Sequence, residues 1–169
     1  MELFTRLYAH NIWANTRVLR AAASAPPGFL GDPGGGFDQA VESRMQQLQH
    51  MLGVERGFLD ALVGPATMPG PPGDLAALGA YARGTADGFA ALCAGLDERS
   101  IEEPFFVPWW EREFPRSVGL LQALSHSGQH RAEIAFDLSR AGLDTGNLDY
   151  IVWFAHGSPE RDDPWPPSG

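Results

Sequence analysis

One cysteine in 169 residues, Cys93, leaves no partner for a disulfide within the chain, so no covalent cross-link of that kind holds the fold. It sits beside Ala91, Leu92 and Ala94 in a helical pattern, the setting of a packed, inert thiol and not of a nucleophile. Positive charge is scarce as well: 12 Lys and Arg stand against 21 Asp and Glu, for a formal net charge of −9. A surface that binds nucleic acid needs clustered cations to displace counterions from phosphates, so nucleic-acid binding is not expected. Long hydrophobic runs are missing too. None approaches the ~18 apolar residues of a membrane span. The first eight residues, Met1 to Tyr8, lack the charged start and apolar stretch of a signal peptide, and a cytoplasmic protein is the expectation.

The hydrophobic fraction of 44% and charged fraction of 20% suit a chain that buries one core. We expect a single helical domain over residues 1–161 and a loosely held tail over 162–169, which carries three prolines. In residues 2–24, Leu3, Leu7, Ala14 and Val18, with Phe4 and Leu19 beside them, recur at helical spacing. Residues 25–36, rich in Pro and Gly, cannot continue that helix and read as a loop. A second helix runs from about Gln39 to Val63 on Met45, Leu48, Leu52, Leu59 and Leu62. Residues 65–73 break it, and Asp74 caps a third helix reaching to about Leu96, weakened by Gly79, Gly84 and Gly88.

Residues 100–116 are different in kind, because Phe105-Phe-Val-Pro-Trp-Trp110 is aromatic and β-prone. A short hairpin or extended excursion is expected there, with Pro108 and Pro115 at its irregular positions. Its aromatics read first as a cover over one end of the helices, and otherwise as the lining of a pocket or a dimer contact. Ser117 is the expected cap of a fourth helix with Leu121, Leu124, Ala135 and Leu138 as its apolar stripe and Gly142 just past its end. Asp149 to Phe154 forms a short closing helix or strand. Four principal helices with long connections make an all-α four-helix bundle.

The fourth helix carries His126 and His130. A four-residue spacing stacks two imidazoles on one face, about 6 Å apart along the axis, close enough to converge on one ion. Glu133 and Asp137 continue the same polar line. Ser127 stands where the glutamate of His-Glu-x-x-His would be, which removes the general base of a zinc peptidase. Glu133 is left as the tentative catalytic base or as an orienting partner of a ligating histidine, and as a solvated glutamate if neither. A third ligand must come from His10, His50 or His156. His50 ranks first, since it lies on the flank of the second helix near Gln46, Gln47, Val54 and Gly57, where facing helices build sites. His10 reads as a hydrogen-bonded core or rim residue, and His156 starts a loop.

Four segments carry a resemblance: Tyr8-Ala-His-Asn-Ile-Trp-Ala-Asn15, Gln49-His-Met-Leu-Gly-Val-Glu55, Leu124-Ser-His-Ser-Gly-Gln-His-Arg-Ala-Glu-Ile134 and the closing Asp149-Tyr-Ile-Val152. With them the chain resembles the DinB-like metal-binding four-helix proteins, also called YfiT-like. The resemblance implies a divalent metal, zinc or nickel, held by His50, His126 and His130 with positions left open. It implies a homodimer acting on a small molecule, with a low-molecular-weight thiol as the substrate class. The activity expected is then that of a thiol S-transferase or a hydrolase; the alternative is a non-catalytic, dimeric metal-binding protein of the stress response. A metal-free bundle with ordinary polar histidines stands as the third reading.

Overall fold

The computed structural model describes residues 2–34, 43–64 and 70–163. Among them the chain forms five α-helices and one two-stranded sheet: α1 (Glu2–Ala23), α2 (Arg44–Val63), α3 (Leu75–Ala94), β1 (Pro104–Val107), β2 (Arg112–Pro115), α4 (Arg116–Arg140) and α5 (Tyr150–Ala155). No helix among the described residues is long and apolar enough to cross a membrane.

On α1 the buried stripe runs Phe4, Tyr8, Asn11, Asn15, Val18, Ala22, alternating steps of four and three. Leu3, expected inside, is 56% exposed, because Phe4 and Tyr8 take the inward register. Two asparagines therefore occupy the middle of a core stripe. The helix start expected near Gln39 lies outside the described residues. As described, α2 begins at Arg44, where Ser43 Oγ accepts the Gln46 amide at 3.2 Å. That helix is buried nearly all round, from Gln47 and Leu48 to Phe58 and Leu62, as befits an element packed against both α3 and α4. Asp74 caps α3 by accepting the Ala77 amide at 2.9 Å. The helix stops at Ala94, two residues before Leu96, which closes the core from the turn beyond.

The aromatic excursion is an antiparallel hairpin pairing Phe105 with Phe114 and Phe106 with Glu113. Pro104 and Pro115 face each other at its open end, where a missing amide costs least. Its strand alternation puts Phe105 and Val107 in the core and leaves Phe106 exposed. Phe105 packs so closely on α4 that a Cβ at Gly119 would fall 2.4 Å from its Cζ.

The structure corrects two expectations on α4. Ser117 does not cap it: β2 runs directly into the helix, Pro115 is the capping residue, and no side chain caps the first turn. Leu121 does not line the core, being 52% exposed, whereas Leu120, Ala123, Ser127, His130, Ile134 and Leu138 are buried. The inward face is turned by one residue because the polar line on which His130 and Asp137 lie is itself buried. Gly142 ends the helix at φ +77°, with Leu143 N donating to Leu138 O at 2.9 Å, a left-handed C-terminal turn that glycine adopts without Cβ strain.

The core clusters give the helix directions. Phe4 and Tyr8 at the start of α1 meet Phe58 and Leu62 late in α2, Phe89 and Cys93 late in α3, and Leu120 and Ala123 early in α4. At the other end Val18 and Ala22 meet Leu48, Leu52, Leu78, Ile134 and Leu138. Thus α1 runs with α4 and against α2 and α3. The closing segment, expected as helix or strand, is the helix α5, whose Trp153 seals against Trp13 and Ala14.

Candidate metal centre

Among the described residues α2 and α4 share the most extensive helix contact, and the three histidines ranked highest meet in that seam. His50 comes from the seventh position of α2, and His126 and His130 come from successive turns of α4. One ligand-type nitrogen from each lies within 4.8 Å of the other two. The Nε2 atoms of His50 and His126 are 3.1 Å apart. Two nitrogens on a tetrahedral zinc, each about 2.05 Å from the ion, stand about 3.3 Å from one another, so this spacing fits a shared ion. The rings themselves are 4.4 to 4.9 Å apart between centroids.

Behind the ligand nitrogens lies an orienting relay. His130 Nδ1 is 3.1 Å from Glu133 Oε2, and Gln47 Nε2 donates to the same oxygen at 2.6 Å. A proton on Nδ1 directed at the carboxylate leaves the His130 Nε2 lone pair for an ion, the arrangement in which a carboxylate fixes a ligating imidazole. Both contacts place Glu133 as the orienting partner of His130. One helical turn further, Asp137 Oδ2 accepts Arg44 Nε at 3.2 Å, tying the first turn of α2 to the last turns of α4. Among the described residues the donor set is three imidazoles with a carboxylate one step back, which could hold a divalent metal ion.

No family model matches the chain, and no curated protein does either.

The other two histidines are accounted for elsewhere. His10 Nε2 donates to Leu148 O at 2.8 Å among Trp13, Tyr150 and Trp153, and burial lowers its pKa from the usual value. His156 is exposed at the end of α5. Cys93 is 2% exposed, with burial pushing its thiol up to about 11, which suits a packed thiol and not a nucleophile. A cavity of 360 Å³ adjoins the histidine cluster, lined by His50, Gly53, Val54, Gly57, Pro71 and Trp109. Trp109 also packs edge-on against Phe58 at 5.2 Å. Of the alternatives for the aromatic hairpin, the cover is seen in Phe105 and Val107, which are buried in the core, while Trp109 lines the cavity beside His50.

Sequence reasoning missed a second polar assembly. Ser127, in which the peptidase glutamate is lost, faces away from the histidines into a buried network. Glu55 accepts from Asn11 Nδ2 at 2.5 Å and from Asn15 Nδ2 at 3.0 Å. Arg131 Nη1 donates to Asn11 Oδ1 at 2.6 Å and Asn15 Oδ1 at 2.8 Å, and Ser127 Oγ donates to Asn15 Oδ1 at 3.3 Å. Burial raises the Glu55 pKa, while hydrogen bonds from Ser127, Asn11 and Asn15 and the Arg131 charge pull the other way. An unpaired charge in such a place costs several kcal/mol, about as much as burying two large apolar side chains returns, and the two asparagines supply hydrogen bonds to both charges. The available signal was the inward stripe of α1, whose fourfold and threefold steps land on Asn11 and Asn15.

Proposed function

We propose that this chain is a divalent-metal enzyme of the DinB-like, YfiT-like kind, built as a four-helix bundle and assembled as a homodimer, with His50, His126 and His130 as the metal ligands. The observation that carries this reading is the convergence of three imidazoles from α2 and α4, one of them oriented through Nδ1 by Glu133. Zinc or nickel bound there supplies Lewis acidity and lowers the pKa of a water or a thiol into the reactive range. The chain's own residues do the rest. Glu133 holds the His130 tautomer and Gln47 holds Glu133. Trp109 and Val54 give the adjoining cavity an apolar wall that limits water beside His50 and receives the organic part of a small substrate. A low-molecular-weight thiol attacking an electrophile, or an ester undergoing hydrolysis, is the reaction class this arrangement suits.

Metal analysis of the purified protein and turnover of thiol and ester panels test the proposal. One ion per chain, with metal and turnover both lost in His126→Ala, is expected. Protein that neither retains nor takes up zinc or nickel would overturn it. One observation favours a second reading: the Glu133 carboxylate already receives both Gln47 and His130, which leaves the histidine cluster without a free base. Under that reading the chain is a non-catalytic, dimeric metal protein of the stress response. Chelation then lowers its thermal stability, and no panel shows turnover.

A further inference from the structure

A cavity of 560 Å³ lies away from the histidines, between α1 and α3. It exists because α3 presents small residues to α1: Gly79, Ala82 and Ala86 stand where larger side chains would fill the seam. A Cβ built at Gly79 meets nothing nearer than Arg83 Nη1 at 3.8 Å. Leu19, Leu52 and Phe89 complete apolar walls, and the volume lies in the range of about 300–1,000 Å³ typical of small-molecule sites.

Its two ends differ in chemistry. The deep end rests on Asn11, Asn15 and Glu55, whose hydrogen bonds to one another and to Arg131 are already made. That floor asks for no polar group from a ligand, and its carboxylate disfavours a second anion. The mouth carries Arg20, Arg83 and Arg161 against the carboxylates of Asp162 and Asp87, a rim with one cation in excess on a chain of net charge −9. Across the mouth Arg20 Nη2 bonds Asp162 Oδ1 at 3.3 Å, and Arg161 Nη1 bonds Asp87 Oδ1 at 3.2 Å. These pairs are largely exposed, so they are worth little and open readily.

We propose that this cavity is a binding site for an amphipathic monoanion, with its apolar body between α1 and α3 and its anionic head among Arg20, Arg83 and Arg161. The head displaces Asp162 from Arg20, and the body fills space that α3 leaves empty. This site is separate from the histidine cluster and works with or without a metal.

Titration calorimetry with dodecanoate below its micellar concentration, in chelator, tests it, with dodecyltrimethylammonium as the same chain bearing the opposite head. One dodecanoate per chain, at least tenfold tighter than the cation, is expected. Gly79→Phe fills the cavity and should abolish binding while leaving the helical circular dichroism unchanged. Arg83→Glu, at an exposed position, should weaken dodecanoate at least tenfold and provides the test should Gly79→Phe fail to fold. Equal binding of the two head groups, binding unchanged in Arg83→Glu, or full binding by a folded Gly79→Phe would each overturn the proposal.

Discussion

The two antiparallel seams α2–α4 and α1–α3 solve opposite problems. In the first, side chains are long, polar and convergent: His50, His126 and His130 meet, with Gln47 and Glu133 behind them. In the second, side chains are small and withdrawn, and a 560 Å³ space remains. Between them stands the network of Glu55, Asn11, Asn15, Ser127 and Arg131, drawing on three helices at once. The difference teaches that burial alone does not mark a functional group here. Glu55 is as deeply buried as His130, yet its carboxylate is spent on Asn11 and Asn15, the same two side chains that take Arg131. The histidine nitrogens instead gather within 4.8 Å of one another. Nitrogens gathered on one another could share a ligand, whereas donors facing acceptors make a joint.

That contrast breaks most sharply at Glu55. Glu55→Ala leaves the Arg131 guanidinium buried without its opposing charge, and a loss of about 3–5 kcal/mol in unfolding free energy is expected. By contrast, His126→Ala, measured in chelator, should change stability by little, because His126 is only partly buried and its role lies in the ligand. Urea unfolding of both variants makes the measurement. A Glu55→Ala protein as stable as the parent would show that the joint is not one.

The opposite side of the comparison is sharpened by Glu133→Gln. This change keeps the shape and an acceptor for His130 Nδ1 but removes the charge that favours the oriented tautomer. Zinc affinity, read by competition with a chromophoric chelator, should fall about 10–100-fold, the usual cost of losing such an outer partner. Affinity unchanged within twofold would mean that the contact from His130 Nδ1 to Glu133 does not set the ligand.

The difference between the seams also explains what could be read from the sequence. The helices, the hairpin, Asp74 as a cap and Gly142 as a terminator are local, set by periodicity and backbone preference, and they were legible. The pair His126–His130 was legible for the same reason. His50 required only that α2 and α4 face each other, and its place on the flank of the α2 leucine stripe supplied that. Leu121 and Ser117 misled because both inferences took the most apolar or best-capping residue in a window. Phe105 packing onto Gly119, and β2 running straight into α4, decide the register instead. The network around Glu55 stayed hidden because its members are polar residues inside apolar stripes on three helices. The cavity between α1 and α3 is a mismatch of side-chain sizes, which no single segment records.

His10 provides the smallest and cleanest test, since it lies on α1 outside both seams. Burial disfavours its charged form, and Arg131 acts in the same direction, against the Leu148 carbonyl and Asp149, so its folded pKa lies below the unfolded value. The unfolded chain therefore takes up the proton first as pH falls. His10 contributes stability that is complete above the ordinary histidine pKa of about 6.5 and is lost as pH falls from there through the lowered folded value, at no more than about 1.4 kcal/mol per pH unit. His10→Gln keeps an amide that can reach Leu148 O and removes the titration. The loss of ring contacts with Tyr150 and Trp153 shifts its stability by a constant, so only the slope is diagnostic. Measured in chelator between pH 8 and pH 5, the difference between parent and variant should be flat above pH 7 and then move steadily against the parent. Parallel curves throughout would show that His10 titrates alike in the folded and unfolded chain, and that the Trp153 seal does not exclude the proton.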